Sequence, residues 1–256
     1  MALLEANDVT IQFGGLTAVA DFNLSIDAHR LFGLIGPNGA GKTTIFNMLT
    51  GVYRPTRGEI LVDGQSIIHN RPCEIAALGV TRTFQNIRLF KELTVLDNVK
   101  IGGHIHYTYS GTSAVLHNHR FRDAEDAAEE EAIDLLRIFG LHMRADDEAH
   151  NLPYGDQRRL EIARALAAKP KLLLLDEPAA GLNTGETLEL MDKIHEIRDR
   201  FGVAILLIEH NMELVMGICE RIFVLNFGKT IAQGTPQEVR TNPVVIEAYL
   251  GEAVEA

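Results

Sequence analysis

The sequence has 256 residues, of which 46% are hydrophobic and 23% are charged, and a mean hydropathy of +0.03, which is ordinary for a soluble globular protein. Its formal net charge of −11 disfavours nucleic acid as the main partner, because a phosphate backbone would repel it. Since no stretch approaches the roughly 20 apolar residues that span a bilayer and residues 1–5 are no signal peptide, we expect a cytoplasmic protein.

The N-terminal part of the chain predicts an antiparallel β region. Apolar residues between positions 3 and 11, and the apolar–polar alternation over residues 22–26, indicate two strands. Phe13 follows the first of them and directly precedes two glycines. It is placed where a loop aromatic can stack on a base, and packing in the core or at its rim is the alternative.

Residues 36–44 read Gly-Pro-Asn-Gly-Ala-Gly-Lys-Thr-Thr, between the apolar run 31–35 and the helix-compatible run 45–49. This is the G-x-x-x-x-G-K-[ST] spacing of a phosphate-binding loop between a strand and a helix. Glycines allow backbone N–H groups to approach phosphate oxygens, the helix N-terminus attracts the same anion, Lys42 can bridge the β- and γ-phosphates, and the Thr43 hydroxyl can bind Mg²⁺. The predicted nucleotide-binding residues of this loop are Gly36, Asn38, Gly39, Ala40, Gly41, Lys42, Thr43 and Thr44.

Further strands are predicted at residues 59–64 and 80–84, the second ending at Gln85, before the pattern becomes helical at about residue 94. A polar excursion over residues 102–122 contains two His-x-His pairs: His104, His106, His117 and His119. No cysteine or well-spaced carboxylate completes a ligand set there, so a solvated loop is favoured over a metal site. An apolar stripe with an acidic opposite face predicts a helix over residues 123–139.

The C-terminal part of the chain alternates strands and helices. Apolar residues 171–175 lead to Asp176-Glu177, a helix follows at 184–200, and strand 203–208 leads to Glu209-His210, with further strands at 222–225 and 230–232. The pattern predicts an α/β P-loop NTPase with a RecA-like parallel-sheet core over residues 1–93 and 169–256, and an inserted helical subdomain over residues 94–168. Ligands of such sheets collect at the carboxyl ends of the strands, where Gly36, Gln85, Asp176 and His210 all fall.

The adjacent carboxylates of Asp176 and Glu177 complete the predicted catalytic site. On an extended segment they would point to opposite sides, so Asp176 is assigned to Mg²⁺ and Glu177 to the water that attacks the γ-phosphate. Without the phosphate loop, a turn or helix cap would be the better interpretation of this pair. Gln85 is expected to reach the metal and the γ-phosphate, and His210 either to contact the γ-phosphate or to hold Glu177.

The order of these motifs resembles the ATPase subunit of ABC transporters over essentially the whole chain. It comprises Phe13, GPNGAGKTT, Gln85, YGDQRRLEIARAL at 154–166, LLLLDEP at 172–178, AAGLN at 179–183 and His210. The resemblance implies that Phe13 stacks on adenine, that Gln85 and His210 are the Q-loop and switch residues, and that 179–183 is the D-loop, with Asn183 where aspartate is usual. It also implies that two subunits enclose two ATP molecules, each site pairing one phosphate loop with the other chain's signature segment.

The signature segment departs from that family, because Leu152-Pro153-Tyr154-Gly155-Asp156 stands where L-S-G-G-Q is usual. Pro153 has no hydroxyl and no N–H, so a family contact from serine to the γ-phosphate is lost. If a partner ATPase carries an intact signature, the site built on Lys42 of this chain would be the fully equipped one of the two. Restoring serine and glycine at positions 153 and 154 should then raise turnover of the mixed dimer.

Residues 81–85, the altered signature, the excursion after Val99 and the tail at 242–251 are similar to the LivG-type ATPase of bacterial branched-chain amino-acid importers. That resemblance implies ATP and Mg²⁺ as cofactors and a peripheral position on the inner face of the cell membrane. It implies a second, LivF-type ATPase or a homodimer, membrane permeases that dock near residues 88–93, and a periplasmic binding protein.

Two other functions are alternatives to this one. An export-type ABC ATPase would be favoured by an unaltered signature, and Pro153 and Tyr154 argue against it. A soluble ABC-type ATPase acting in DNA repair or translation usually carries a coiled-coil insertion or two fused ATPase units, and this sequence has neither. Its acidic charge also disfavours a nucleic-acid partner.

Overall fold

The structure is a computed structural model that describes residues 2–107 and 119–250. It divides into two compact units, the first formed by residues 1–82 and 171–256 and the second by residues 83–170. The second unit begins earlier than the boundary at residue 94 expected from the sequence. Part of the predicted excursion, residues 108–118, lies outside the described residues, as does Gly251 of the tail.

The first unit opens with strands and short helices. In chain order they are β1 (Leu4–Phe13), β2 (Leu16–Ile26), β3 (Leu31–Ile35), α1 (Lys42–Leu49), β4 (Arg57–Val62), β5 (Gln65–Ser66), α2 (Pro72–Ala77) and β6 (Val80–Arg82). Four of them form an antiparallel sheet in the order β2-β1-β4-β5, which confirms the predicted N-terminal β region. The second strand of this sheet starts earlier than predicted, because the run from Leu16 pairs with the end of β1.

The second unit contains three α-helices within its described residues 83–107 and 119–170: α3 (Val95–Gly103), α4 (His119–Ile138) and α5 (Tyr154–Ala167). Helix α3 starts where predicted, because the Thr94 side chain accepts a hydrogen bond from the backbone N–H of Asp97 at 3.0 Å. It packs on both other helices. At Gly102 a Cβ atom would lie 2.1 Å from the carbonyl oxygen of Arg164, so this close approach requires glycine.

The chain then returns to the first unit. Its remaining elements are β7 (Leu172–Asp176), α6 (Thr184–Phe201), β8 (Ala204–Ile208), α7 (Met212–Ile218), β9 (Arg221–Asn226), β10 (Lys229–Gly234), α8 (Pro236–Arg240) and α9 (Pro243–Leu250). The second sheet has the order β10-β9-β3-β8-β7-β6 and is parallel except for β10. The predicted α/β fold with a parallel-sheet core is therefore confirmed.

The core of the first unit joins its two sheets through the helix that follows the phosphate loop. It includes Leu4 and Phe22 from the antiparallel sheet, Phe46 from α1, and Leu174 and Leu206 from the parallel sheet, all at most 1% exposed. Burying each such side chain stabilises the fold by about 1.5–3 kcal/mol. Because α1 is held between the sheets, the loop at its N-terminus is fixed beside the carboxyl ends of β3 and its neighbours.

None of the helices in the described part of the chain is long and apolar enough to cross a membrane.

Candidate nucleotide site

The phosphate loop follows β3 and requires glycine at two positions. Gly36 has φ +151°, and a Cβ atom there would lie 2.1 Å from the carbonyl oxygen of Leu225. Gly41, with φ +104°, is the N-cap of α1, which begins at Lys42. The N–H groups of Lys42, Thr43 and Thr44 therefore belong to the first helical turn, where they have no acceptor within the helix and can bind an anion.

Lys42 lies over its own loop. Its side chain is buried, and Nζ donates hydrogen bonds to the carbonyl oxygens of Gly36 at 2.6 Å and Pro37 at 2.8 Å. Asn38 and Thr43 are exposed beside it. A phosphate oxygen carries a full charge, so it is a stronger acceptor for an ammonium group than either carbonyl.

Asp176 and Glu177 differ in backbone conformation, which the sequence did not show. The prediction of an extended pair is wrong, because β7 ends at Asp176 and Glu177 has the left-handed φ of +48°. The N–H of Glu177 donates to the carbonyl oxygen of Ile208 at 2.9 Å. A left-handed conformation is costly for a residue with a side chain and is concentrated at functional sites.

His210 meets Glu177 at the ends of two neighbouring strands. Its Nε2 lies 2.8 Å from Oε1 of Glu177, and with Glu177 ionised this nitrogen is the donor. Of the two predicted tasks for His210, holding Glu177 is the one that this geometry favours.

Glu209 is a buried residue beside this pair that sequence reasoning did not use. Its carboxylate accepts hydrogen bonds from the backbone N–H groups of Ala179 at 2.7 Å, His210 at 3.1 Å and Asn211 at 3.4 Å. Burial raises the pKa of Glu209, while these N–H groups act in the opposite direction. Glu209 thereby ties the segment after Glu177 to the segment that carries His210. A carboxylate at the end of an otherwise apolar strand was its only sequence signal.

Arg82, at the end of β6, is a second residue to which sequence reasoning assigned no role. Its guanidinium donates to Oδ2 of Asp176 at 2.9 Å and to Oδ1 of Asn47, in α1, at 2.7 Å. The two side chains of the ion pair are 7% and 3% exposed. An arginine between two threonines in a predicted core strand was the available signal, since a buried charge needs a partner.

Phe13 ends β1 with its ring partly exposed, at 44% of its surface. Its ring centroid lies 5.2 Å from that of Tyr53, and the ring planes meet at 70°, an edge-to-face arrangement. Tyr53 thus supports the ring from one side. An exposed, supported aromatic ring is suited to stacking on a base and is not part of the core.

Gln85 belongs to the second unit and is exposed. Its carbonyl oxygen accepts a hydrogen bond from the guanidinium of Arg158 at 2.8 Å, and the carbonyl oxygen of Phe84 accepts another at 2.7 Å. Arg158 pairs with Glu161, which accepts from the N–H groups of Phe84 at 3.3 Å and Arg88 at 3.2 Å.

Both charged side chains of this clamp, Arg158 and Glu161, are 1% exposed. Burial raises the pKa of Glu161. Because residues 84–88 bond to α5, the chain leaves the parallel sheet after Arg82, and the predicted strand 80–84 stops two residues early. The same bonds place the start of the second unit at residue 83.

Pro153 is the N-cap of α5 and makes no side-chain cap. The Tyr154 hydroxyl accepts a hydrogen bond from Arg158 at 3.1 Å. Tyrosine at this signature position therefore helps to hold the Arg158 guanidinium in place. In the D-loop, the Asn183 side chain caps α6 by accepting from the N–H of Glu186 at 3.0 Å.

Two described histidines of the His-x-His pairs contact residues outside the predicted nucleotide site. His106 Nε2 lies 2.8 Å from the carbonyl oxygen of Ala168, and His119 faces Asp123 at 2.6 Å, whereas His117 lies outside the described residues. Cys73 is exposed and Cys219 is buried, and neither is in a disulfide. Burial raises the pKa of the Cys219 thiol, as fits a small apolar core residue.

These features define a nucleotide-binding P-loop ATPase: a parallel sheet, a phosphate loop at the carboxyl end of β3, and acidic residues at the carboxyl ends of the neighbouring strands. Comparison with known proteins narrows this class. Residues 19–180 match the family model described as ABC transporter, and residues 229–255 match the model described as Branched-chain amino acid ATP-binding cassette transporter.

Two curated relatives match along almost the entire chain. The high-affinity branched-chain amino acid transport ATP-binding protein LivG of Escherichia coli K12 is 50% identical over 251 residues, 98% of each chain. The high-affinity branched-chain amino acid transport ATP-binding protein BraF of Pseudomonas aeruginosa PAO1 is 47% identical over 251 residues, again 98% of each chain. A crystal structure of MJ1267, an ATP-binding cassette of an ABC transporter in its ADP conformation, superposes with a TM-score of 0.84 at 29% identity, covering 98% of this chain and 99% of that one.

This chain belongs to the ABC transporter family, as an ATP-binding cassette. The family resemblance read from the motifs, and the ATPase class that it implied, are thereby confirmed.

Proposed function

We propose that this chain binds ATP with Mg²⁺, hydrolyses it, and thereby powers uptake of branched-chain or related amino acids through partner permeases. The proposal depends most on the contact of Glu177 with His210 at 2.8 Å. Both residues lie in the same unit as the phosphate loop and, like it, at the carboxyl ends of the parallel strands. The importer assignment is supported by the identity to LivG and BraF and by the match at residues 229–255.

The hydroxyl and carboxylate oxygens at the carboxyl ends of the parallel strands fit Mg²⁺. This hard cation prefers a few such oxygens together with phosphate and water. Thr43 is exposed at the start of α1, and Asp176 supplies a carboxylate at the end of β7. These two residues of the first unit would hold the ion. The ion would neutralise charge on the β- and γ-phosphates.

The residues of this chain then divide the work of hydrolysis. Glu177 orients the attacking water and accepts its proton, and His210 fixes the Glu177 carboxylate through the contact at 2.8 Å. Lys42 and the amides of the loop hold the phosphates, and Phe13 stacks on adenine. Catalysis by this set is mainly positioning and charge stabilisation.

The second unit supplies the contacts to other subunits. Phe90, in the segment 88–93, is 48% exposed, while its backbone N–H and carbonyl are bound by the Asn98 side chain at 2.9 and 3.0 Å. A fixed backbone with an exposed ring suits docking of a permease helix. The altered signature at Pro153 would complete the site of a second ATPase subunit, so that the two sites of the dimer are unequal.

Co-purification tests this proposal. A tagged Glu177→Gln chain is expressed in its native cell, and membranes are extracted with mild detergent in ATP and Mg²⁺, so that the ATP-bound assembly persists. Mass spectrometry should then identify two multi-spanning permeases and a second ATPase on the inner face of the membrane. The periplasmic binding protein that serves them can be screened with leucine, isoleucine and valine. Recovery of only soluble proteins or nucleic acid would refute the transporter assignment.

A further inference from the structure

The carboxylate assigned to the metal already has a protein cation beside it. The guanidinium of Arg82 lies 2.9 Å from Oδ2 of Asp176, and both side chains are more than nine-tenths buried. At this distance and in a low-dielectric surrounding, the attraction between the two charges is much stronger than in water. The positive charge of Arg82 therefore largely offsets the negative charge that Asp176 offers to any cation.

Arg82 is held in this place from the other side by the helix of the phosphate loop. Its Nη1 donates to Oδ1 of Asn47 at 2.7 Å and to Oγ1 of Thr50 at 3.3 Å. The guanidinium carbon also lies 5.8 Å from the centre of the Phe46 ring, within the range of a cation–π contact. Two residues of α1 and its C-cap, Thr50, thus fix the charge, so a cation arriving at Asp176 meets a guanidinium that has little freedom to move away.

A site with this charge balance attracts a divalent cation weakly by itself. The triphosphate of a bound nucleotide would add several negative charges close to Asp176 and make the net charge around it negative. We propose that Arg82 is an internal counter-ion of Asp176, which makes divalent-cation binding conditional on nucleotide and allows the cation to leave with the products. This inference rests on the proposed assignment of Asp176 to the metal.

Direct binding of Mn²⁺, used as the probe for the Mg²⁺ site, tests the counter-ion. Free Mn²⁺ is counted by electron paramagnetic resonance in solutions of the full-length chain without nucleotide. Arg82→Gln removes the charge and keeps a donor for Asn47, so it should bind Mn²⁺ at least about tenfold more tightly than the unaltered chain. The added Asp176→Asn change should abolish this gain.

The matched control is Arg57→Gln, which changes the net charge equally. Arg57 pairs with Asp21, and both side chains are more than 60% exposed. It should leave Mn²⁺ binding unchanged, and a gain equal to that of Arg82→Gln would overturn the proposal. So would an unchanged Mn²⁺ affinity in a folded Arg82→Gln chain.

Two further variants keep the result interpretable. If Arg82→Gln fails to fold, Arg82→Lys retains the charge and should keep Mn²⁺ affinity within about twofold of the unaltered chain, since an ammonium repels the ion as a guanidinium does. A tenfold gain in that variant would contradict the proposal. Separately, if Asp176→Asn alone leaves nucleotide-dependent Mn²⁺ binding intact, it is the assignment of Asp176 to the metal that fails.

Discussion

The pair Arg82–Asp176 of the first unit and the pair Arg158–Glu161 of the second are alike in burial and in N–O distance, 2.9 and 3.1 Å. They differ in what surrounds them. Arg158 and Glu161 together bind four backbone groups of residues 84–88. Arg82 binds side chains of the phosphate-loop helix and of its C-cap, Thr50, and Asp176 is followed directly by Glu177.

This difference separates two uses of the same chemistry. A buried pair whose hydrogen bonds go to the backbone of one segment holds that segment in place, so its loss should appear as lost stability. The carboxyl ends of the parallel strands in the first unit hold the groups proposed to act on a nucleotide. Changes to these residues should therefore alter the rate of ATP hydrolysis or the affinity for nucleotide.

The first prediction concerns Glu177→Gln. It should lower the rate of ATP hydrolysis by about 10²–10⁴-fold, the usual contribution of a general base, and leave ATP affinity and the free energy of unfolding nearly unchanged. Phosphate release by the chain assembled with its partner ATPase measures the rate, and equilibrium binding of labelled ATP measures the affinity. Hydrolysis within tenfold of the unaltered assembly would mean that another residue activates the water.

The second prediction concerns Arg158→Met in the other unit. It should lower the free energy of unfolding by about 3–5 kcal/mol, because Glu161 is left buried without its counter-ion. Urea denaturation followed by circular dichroism measures the loss. The matched control is Arg137→Met, whose pair with Asp134 is more than half exposed and should cost only about 0–1 kcal/mol. Equal losses in the two variants would show that the clamp has no special part in the fold.

The sequence predicted most of the fold, and it indicated a phosphate-binding loop, because both depend on local patterns. The apolar strand 172–176 and the glycine spacing after β3 are each contained in a few consecutive residues. Arg82 and Glu209 were missed because their meaning depends on partners far along the chain, Asp176 and Ala179.

Two predictions failed at boundaries for a related reason. Strand 80–84 ends early because Arg158, 74 residues from Phe84, takes up the following carbonyls. The alternation argument for Glu177 failed because the residue is left-handed, which no neighbouring residue type indicated. Tertiary contacts therefore determine where an element stops, while local sequence determines that it exists.

The third prediction concerns Phe13→Ala at the end of β1. Loss of a stacking surface should weaken ATP binding by about 1–3 kcal/mol, without changing the rate of hydrolysis at saturating ATP. Titration with a fluorescent ATP analogue measures the affinity. Leu16→Ala, in the same hairpin and 69% exposed, is the matched control and should bind as the unaltered chain does. An equal loss in both variants would place the adenine elsewhere.

The fourth and smallest prediction concerns Pro153→Ser. Serine restores a hydroxyl at the N-cap of α5, and one added hydrogen bond of about 0.5–1.5 kcal/mol should raise turnover of the mixed dimer a few-fold. Tyr154 is kept, because its hydroxyl accepts from Arg158. Pro153→Ala removes the proline without adding a hydroxyl and should not raise turnover. If both variants raise it equally, the effect belongs to the lost proline and not to a γ-phosphate contact of the hydroxyl.

A double-mutant cycle of phosphate release tests directly whether Glu177 and His210 act as one unit in hydrolysis. Glu177→Gln, His210→Ala and the double variant are each assembled with the partner ATPase and measured at saturating ATP and Mg²⁺. If His210 works by holding Glu177, the double variant should be no slower than the slower single variant. Rate losses that multiply would show that His210 acts independently of Glu177, and would contradict the account given by the 2.8 Å contact.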